Sequence, residues 1–334
     1  MSVAPRQSRP TRLKKTKPPT NAPPPAAEPS TAASPLRVRI EHHTLYRYER
    51  TVGFAPHLVR LFPRSEPGRL LRRCELKTNA GGRVRHRRDL FDNSIARCNY
   101  PERGRDLRFD FLAELELEQR NPFDFLLENF AIHFPFAYEP AEARQLAPFL
   151  ASPEHHESTR HETPLLPQLT FWQPPSLHPE PSAERPQTIA MLVDLTSAFR
   201  AHLRYERRDT GRARSPAETL AQGIGACRDY AVLLAAILRE LGLAARLVSG
   251  YLCEFETPAA ERKADAAMHA WTDVYLPGAG WVGLDPTNGV LCSHHHLPTA
   301  VGLTPADISP ILGSYYSDAT VASEMEAEIK VVAL

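Results

Sequence analysis

The sequence is poor in several features that would place it in a specialised class of protein. Its 334 residues contain no run of about 18 uncharged apolar residues, so we expect no membrane-spanning helix and no membrane among its partners. No apolar stretch follows the first residues, so we expect no signal peptide. The length suggests two domains of ordinary size, and a hydrophobic content of 42% is sufficient to bury their cores.

Cysteine is also scarce. The five cysteines are far apart in the chain, at positions 74, 98, 227, 253 and 292. They are too few and too scattered for a disulfide framework or a zinc site, and we predict neither a metal nor a cofactor. An odd number of cysteines without a secretion signal is typical of the reducing cytoplasm, which we predict as the location.

Acidic and basic residues nearly balance, with a net charge of +1, but they are unevenly distributed. Residues 1–120 contain 25 Lys and Arg against 13 Asp and Glu, whereas residues 121–334 contain 15 against 26. Either the two halves attract each other across a domain interface, or the basic half binds a polyanion such as nucleic acid. We favour the first interpretation and do not expect nucleic acid as a partner, because no nucleic-acid-binding motif accompanies the arginines.

Composition divides the chain into four regions. Residues 1–35 are rich in proline, alanine and basic residues and too poor in apolar ones to order, so they predict a disordered tail. Residues 36–120 contain short runs of alternating apolar and polar residues between turn signals, which predict an antiparallel β-rich domain. Residues 121–185 are typical of a connector with a long surface loop, and residues 186–334 form the second predicted domain.

The most informative stretch surrounds Cys227. Gly223 and Gly225 interrupt the run before it, and the following residues up to Leu241 contain neither Gly nor Pro, which predicts a largely buried helix. Cys227 would begin that helix, where free N–H groups and the helix dipole favour an anion and therefore a thiolate. A buried cysteine without chemistry is the alternative, and it is the commoner fate of a cysteine.

Two further polar residues lie in a predicted hairpin. His269 is on its first strand and Asp285 is on its second, with a turn containing Pro and Gly between them. A three-residue loop at 277–279 would place Asp285 opposite Trp271, diagonal to His269 and within reach of a hydrogen bond. A two-residue loop would place the two side chains on opposite faces of the hairpin. The sequence leaves both registers open.

Three separate motifs follow one another along the chain in the order Cys, His, Asp: Gly-x-Cys-Arg-Asp around Cys227, His-Ala-Trp at His269, and Leu-Asp-Pro-Thr-Asn around Asp285. They resemble the transglutaminase-like (transglutaminase core) superfamily, and the strands after residue 36 resemble the bacterial transglutaminase-like N-terminal region. The resemblance implies an α+β fold with a papain-like cysteine-protease/transglutaminase core, preceded by an antiparallel β-rich N-terminal domain. It also implies a triad in which Cys227 is the nucleophile, His269 is base and then acid, and Asp285 orients His269.

Such a triad would perform acyl transfer on amide bonds of a protein or peptide substrate through a thioester. Water as the acceptor would make the protein a hydrolase, and an amine would make it a transglutaminase; the sequence does not separate the two. The alternative is a non-catalytic binding module with this fold, whose basic half contacts a polyanion. Gln222, shortly before Cys227, is a candidate oxyanion donor, because papain-like enzymes place a glutamine just ahead of the nucleophile. The oligomeric state is left open.

Other histidines are candidates for metal binding. The tract His294–His296 is typical of metal ligands, but no further ligand lies nearby, so we predict solvated loop histidines. His42, His43 and His57 lie on predicted strands without carboxylate or Cys partners at ligand spacing, and we predict structural roles for them.

Overall fold

The structure, a computed structural model, describes four stretches of the chain: residues 35–151, 164–208, 211–253 and 266–334. The predicted disordered tail, residues 1–35, lies outside the described residues except for its last residue. The region after it consists of strands. These are β1 (Leu36–Phe54), β2 (His57–Val59), β3 (Arg69–Thr78), β4 (Arg83–Arg88), β5 (Ser94–Asn99) and β6 (Gly104–Leu117).

Helices and further strands follow. The helices are α1 (Pro140–Leu150), α2 (Thr188–His202), α3 (Pro216–Gln222) and α4 (Cys227–Glu240). The strands are β7 (Arg204–Tyr205), β8 (Ile224–Gly225), β9 (Ala245–Cys253), β10 (Ala266–Leu276), β11 (Gly280–Asp285), β12 (Val290–Leu291), β13 (His296–Gly302), β14 (Ile311–Leu312), β15 (Tyr315–Tyr316) and β16 (Ser323–Ala333).

Two antiparallel sheets share one apolar core in the N-terminal half. The first has the order β15-β1-β6-β3, with β16 also pairing with β1, and the second has the order β14-β2-β5-β4. Side chains alternate along β1, so that Val38 and Ile40 are buried while Arg37 and Arg39 are more exposed. Val59 of the second sheet joins the same core. The predicted antiparallel β-rich N-terminal domain is confirmed.

The last three strands belong to these sheets and not to the second domain. β16 pairs antiparallel with β1 from Val38↔Ala333 to Tyr48↔Ser323, β15 extends the same strand, and β14 pairs with β2. The prediction that residues 186–334 form the second domain by themselves is therefore wrong beyond β13. The physical reason is that β1 needs a partner on the side that β6 does not cover, because an open strand edge leaves its backbone groups unpaired.

A third antiparallel sheet, of order β12-β11-β10-β9-β13, carries α4 on one face. The helix is buried at every residue from Asp229 to Arg239, as its apolar composition predicted. The Thr272 hydroxyl of β10 donates to the Ala231 carbonyl of α4 at 2.8 Å, which ties the helix to the strand. With this sheet and its helices the predicted α+β class is confirmed.

Residues 34–334 form one compact unit, so the two sheets of the N-terminal domain and the sheet that carries α4 are in contact; we call these the two sheet systems. The Asn93 side chain of the loop before β5 bonds both to the Val301 carbonyl at 2.7 Å and to the Val301 N–H at 2.9 Å. The Tyr251 hydroxyl of β9 lies 3.1 Å from His42 Nδ1 of β1. The N-terminal domain therefore helps to fix β9 and β13 of the third sheet.

The helices of the described stretches are short. The longest, α2, has 15 residues, whereas about 20 apolar residues are needed to span a bilayer. None of the described helices has the length and apolar character required for that. The cytoplasmic location stays a prediction.

Candidate active site

Cys227 is the first residue of α4. Ala226, the residue before the helix, has extended backbone angles, and its N–H donates to the Asp229 carboxylate at 2.8 Å. Gly225 is needed just ahead of it, because a Cβ there would lie 2.7 Å from the Tyr230 ring. Cys227 is partly exposed, at the end of the helix where N–H groups lack intrahelical acceptors. The predicted helix start is confirmed.

The register of the β10–β11 hairpin brings His269 to Asp285. Leu276 pairs with Gly280, so the loop has the three residues 277–279. His269 Nε2 lies 2.9 Å from Asp285 Oδ2 and donates to it. The other ring nitrogen is left for Cys227, whose thiol pKa is lowered by the His269 side chain and by the Ala270 backbone. The structure thus brings the three predicted site residues together.

Electrostatic effects favour a charged Cys–His pair. Burial is the largest influence on the Cys227 thiol and raises its pKa, but the hydrogen bond and charge of His269, with help from Arg228, lower the pKa below its usual value. Burial lowers the pKa of His269, but its hydrogen bonds and charge interactions with Asp285 and Cys227 raise it well above the usual value. The two shifts together favour transfer of the thiol proton to the imidazole, which gives a thiolate beside an imidazolium.

Asp285 is fully buried and accepts five hydrogen bonds. Its Oδ1 accepts from the backbone N–H groups of Thr287, at 2.9 Å, and Asn288, at 3.2 Å. Its Oδ2 accepts from Asn288 Nδ2 at 2.7 Å, His269 Nε2 at 2.9 Å and His296 Nε2 at 3.0 Å. Burial raises the pKa of this carboxyl, but the hydrogen bonds from the two histidines outweigh it and hold the pKa far below the usual value.

His296 was not expected at this site. The prediction of solvated loop histidines at 294–296 is wrong for this residue, which opens β13 and is 5% exposed. Its neighbour His295 is half-buried and bonds to the Cys253 carbonyl at 2.9 Å. The sequence did contain one signal for this burial: His296 begins a strand-like run, whereas His294 and His295 precede that run. Among the described residues, no group of three or more His, Cys, Asp or Glu could hold a metal.

Other predicted residues lie away from these contacts. Gln222 ends α3 and is exposed; it has no hydrogen bond to Cys227 within the described stretches, and its role as an oxyanion donor stays a prediction.

His42 is buried between Tyr251 and Thr44, at 3.1 Å from each. His57 donates from Nδ1 to the Ala55 carbonyl at 2.7 Å. His43 lies 2.7 Å from the Asp110 carboxylate. The contacts of His42 and His43 link strands, whereas that of His57 is local to the turn before β2.

Two family models match the chain. The model described as the transglutaminase-like superfamily matches residues 179–286, and that described as the bacterial transglutaminase-like N-terminal region matches residues 38–116. The chain belongs to the transglutaminase-like superfamily. Cys227, His269 and Asp285 lie within the first matched range of this superfamily member, whereas His296 lies beyond it.

Curated relatives of this superfamily member are matched over part of their length. An uncharacterized protein of Mycobacterium tuberculosis is 35% identical over 135 residues, which are 39% of this chain and 43% of that protein. A protein-glutamine gamma-glutamyltransferase of Pseudomonas aeruginosa is 39% identical over 67 residues, which are 19% of this chain and 10% of that protein. The matches therefore span less than half of either relative.

A solved structure extends the likeness to nearly the whole chain. The crystal structure of a "Putative Cysteine Protease" from Cytophaga hutchinsonii has a TM-score of 0.66, covers 90% of this chain and 92% of its own, and is 15% identical. At that identity the likeness concerns the fold alone. It confirms that this transglutaminase-like superfamily member has the predicted papain-like cysteine-protease/transglutaminase core.

Proposed function

We propose that this protein is a cysteine acyl-transfer enzyme that acts on amide bonds of a protein or peptide. The observation that carries the proposal is the 2.9 Å contact of His269 with Asp285, together with the influence of His269 that lowers the pKa of Cys227. Membership of the superfamily and the papain-like fold support it. A non-catalytic binding module would not need a thiol whose pKa is lowered by a neighbouring imidazole.

The proposed reaction has two steps. The Cys227 thiolate attacks the carbonyl carbon, the His269 imidazolium gives its proton to the leaving amine, and a thioester forms. His269 then takes a proton from the second nucleophile, which attacks the thioester and releases Cys227. Asp285 keeps the imidazole in place and stabilises its charged form. The Cys227 N–H at the start of α4 is a donor for the oxyanion in both steps.

The acceptor in the second step is either water or an amine. The Pseudomonas relative is named a protein-glutamine gamma-glutamyltransferase and the Cytophaga structure a "Putative Cysteine Protease", and each name describes that protein. One assay measures both outcomes: casein is incubated with the full chain and a labelled primary amine, and peptide release and label incorporation are followed together. We expect one or both with the unmodified protein and neither with Cys227→Ala.

The matched control is Cys74→Ala, which removes an exposed cysteine of β3 in the N-terminal domain. It should keep full activity. Rapid labelling of Cys227 by iodoacetamide, slowed in His269→Ala, provides a second measurement that needs no substrate. If Cys227 were labelled no faster than Cys74 in the unmodified protein, the enzymatic proposal would be wrong and the binding module would be the better description.

A second function is favoured by a cluster of arginines in the N-terminal domain. Arg83, Arg85 and Arg87 alternate along β4, and Arg97 of β5 is the direct partner of Arg85. They line one shallow depression, which we call the arginine face. None of the four pairs with a carboxylate in the described part of the chain. Guanidinium groups at this spacing suit a row of phosphate or other anionic groups.

We propose that the arginine face contacts a polyanion. The test is the salt concentration at which the full chain elutes from immobilised heparin. The double variant R83Q/R85Q should elute at clearly lower salt, because fewer counterions are exchanged on binding. The control R72Q removes an arginine that already pairs with Glu116 at 2.6 Å, and it should elute much closer to the unmodified protein. Equal elution of all three proteins would exclude this function.

A further inference from the structure

The triad needs one imidazole, but the carboxylate of Asp285 is in contact with two. His296 Nε2 lies 3.0 Å from Asp285 Oδ2, the same oxygen that accepts from His269 Nε2 at 2.9 Å. Asp285 is 0% exposed and His296 is 5% exposed, so water does not compete freely for this contact. The reaction steps proposed above give His296 no proton to carry.

The hydrogen bonds of His296 fix its tautomer. The backbone N–H of Ser293 donates to His296 Nδ1 at 3.2 Å, so Nδ1 must be an acceptor and the ring proton lies on Nε2. Nε2–H then donates to Asp285. Burial, the largest influence, lowers the pKa of His296 and outweighs the opposite effect of Asp285. His296 is therefore a neutral donor at neutral pH, unlike His269.

The position of His296 is held from two directions. Arg69 of β3 donates to the His296 carbonyl at 3.2 Å, and the same guanidinium pairs with Glu66 at 3.2 Å. The ring meets Trp271 edge-on, with 5.4 Å between centroids. Since Arg69 and Glu66 belong to the N-terminal domain, that domain fixes the backbone of β13 at the point where His296 faces Asp285.

We propose that His296 is a positioning residue: its neutral Nε2–H group holds the Asp285 carboxylate in the orientation that accepts from His269. This inference rests on the acyl-transfer function proposed above. Oδ1 is held by backbone N–H groups, but Oδ2 is held by side chains alone. Without His296, only Asn288 would share Oδ2 with His269, and the carboxylate and the imidazole would lose part of their fixed geometry.

Three substitutions separate this role from space filling. His296→Gln keeps an N–H near the position of Nε2, His296→Asn has the same amide but does not reach Asp285, and His296→Leu keeps bulk without a donor. The measurement is the rate of Cys227 alkylation by iodoacetamide at neutral pH in the full chain, mapped by peptide mass spectrometry. We expect the alkylation rate of Cys227 to fall roughly 10-fold or more in His296→Leu and His296→Asn, because each loses one hydrogen bond to a charged group. His296→Gln should retain most of the rate of the unmodified protein.

A double variant tests whether His296 acts through Asp285. In an Asp285→Asn background the change His296→Leu should have little further effect, because both substitutions break the same connection. The matched control is His295→Gln, which changes the adjacent histidine and should leave the rate unaltered. If His296→Leu does not fold, which thermal denaturation would reveal, the comparison of Gln with Asn decides the question.

The outcomes distinguish this inference from the function on which it rests. A reactive Cys227 with equal rates in the Gln, Asn and Leu variants would overturn the role of His296 alone. A loss in His296→Leu that persists undiminished in the Asp285→Asn background would overturn it as well. A Cys227 that reacts no faster than Cys74 in the unmodified protein would overturn both proposals.

Discussion

Arg208 donates two hydrogen bonds to Asp229, at 2.6 and 2.5 Å, and holds a fully buried carboxylate in the first turn of α4. The same carboxylate accepts from the backbone N–H groups of Arg214 and Ala226, each at 2.8 Å. The start of the helix that carries Cys227 is therefore fixed by a buried ion pair and two backbone contacts.

Replacing Arg208 should be costly. Arg208→Ala leaves the Asp229 charge buried without its partner, and breaking a buried pair in this way costs about 3–5 kcal/mol of the free energy of unfolding. Chemical denaturation checks this value. Arg72→Ala, which breaks an exposed pair with Glu116, is the control and should have a much smaller effect. Similar losses in the two variants would mean that the buried pair does not stabilise the start of α4.

The reactivity of Cys227 should persist to lower pH than that of an ordinary thiol. Because its pKa is lowered, the thiolate remains populated below about pH 8.5, where an ordinary thiol loses its reactivity. His269→Ala removes the principal cause of that lowering, so the midpoint of the alkylation profile should move to higher pH. Rates of iodoacetamide labelling between pH 4 and 10 measure both midpoints. The exposed Cys74 provides the internal reference, and coinciding profiles for the two cysteines would contradict the prediction.

Protonation of His42 should weaken the contact between the two sheet systems. Burial, assisted by the charge of His43, lowers the pKa of His42 to about 4, whereas the unfolded value is about 6.5. Between these values the unfolded chain binds a proton that the folded chain does not. The contribution of neutral His42 to the free energy of unfolding is therefore fully present above about pH 6.5. It falls by up to about 3 kcal/mol as the pH drops toward 4.

The variant His42→Asn tests this dependence. It removes the titrating group, so the difference in free energy of unfolding between pH 7.5 and 5 should be smaller than in the unmodified protein. His178→Asn changes an exposed histidine and should retain the full difference. Identical pH dependence in His42→Asn and the unmodified protein would assign the loss of stability to other groups.

Gly250 should not tolerate even an added methyl group. A Cβ there would lie 2.2 Å from the Leu297 carbonyl oxygen and 2.7 Å from the Trp271 ring, so β13 would have to shift. Overpacking of this kind costs about 1–3 kcal/mol, and Gly250→Ala should also slow Cys227 alkylation because β13 carries His296. Gly104→Ala, where a Cβ meets neighbours no closer than 3.4 Å, is the control for both measurements. An unchanged rate in Gly250→Ala would mean that β13 can move without disturbing the site.

Local patterns predicted much of the site. The start of α4 follows from Gly225 and the apolar run after Cys227, and the two strands of the hairpin follow from their composition. The register between His269 and Asp285 did not, because it depends on the loop conformation at 277–279. Three residues allow Leu276 to pair with Gly280, and the sequence also permitted the shorter loop.

Contacts between distant parts of the chain were the ones that the sequence did not reveal. His296 was misjudged because its partner Asp285 lies on another strand, and a tract of polar residues gives no sign of burial. Nothing in the sequence of β16 indicates which sheet it joins. Its place beside β1 depends on an edge that only the folded N-terminal domain presents.

The pairing of β16 with β1 makes the entire papain-like region an insertion within a single β-sandwich. The inserted stretch begins after β6 and returns at β14, so its two ends emerge from neighbouring sheets. During synthesis the sandwich cannot be completed until β14, β15 and β16 have left the ribosome. The inserted region contains all strands of its own sheet and can fold before that. Pairing of β14 with β2, and of β15 and β16 with β1, would then complete the sandwich as the last step of folding.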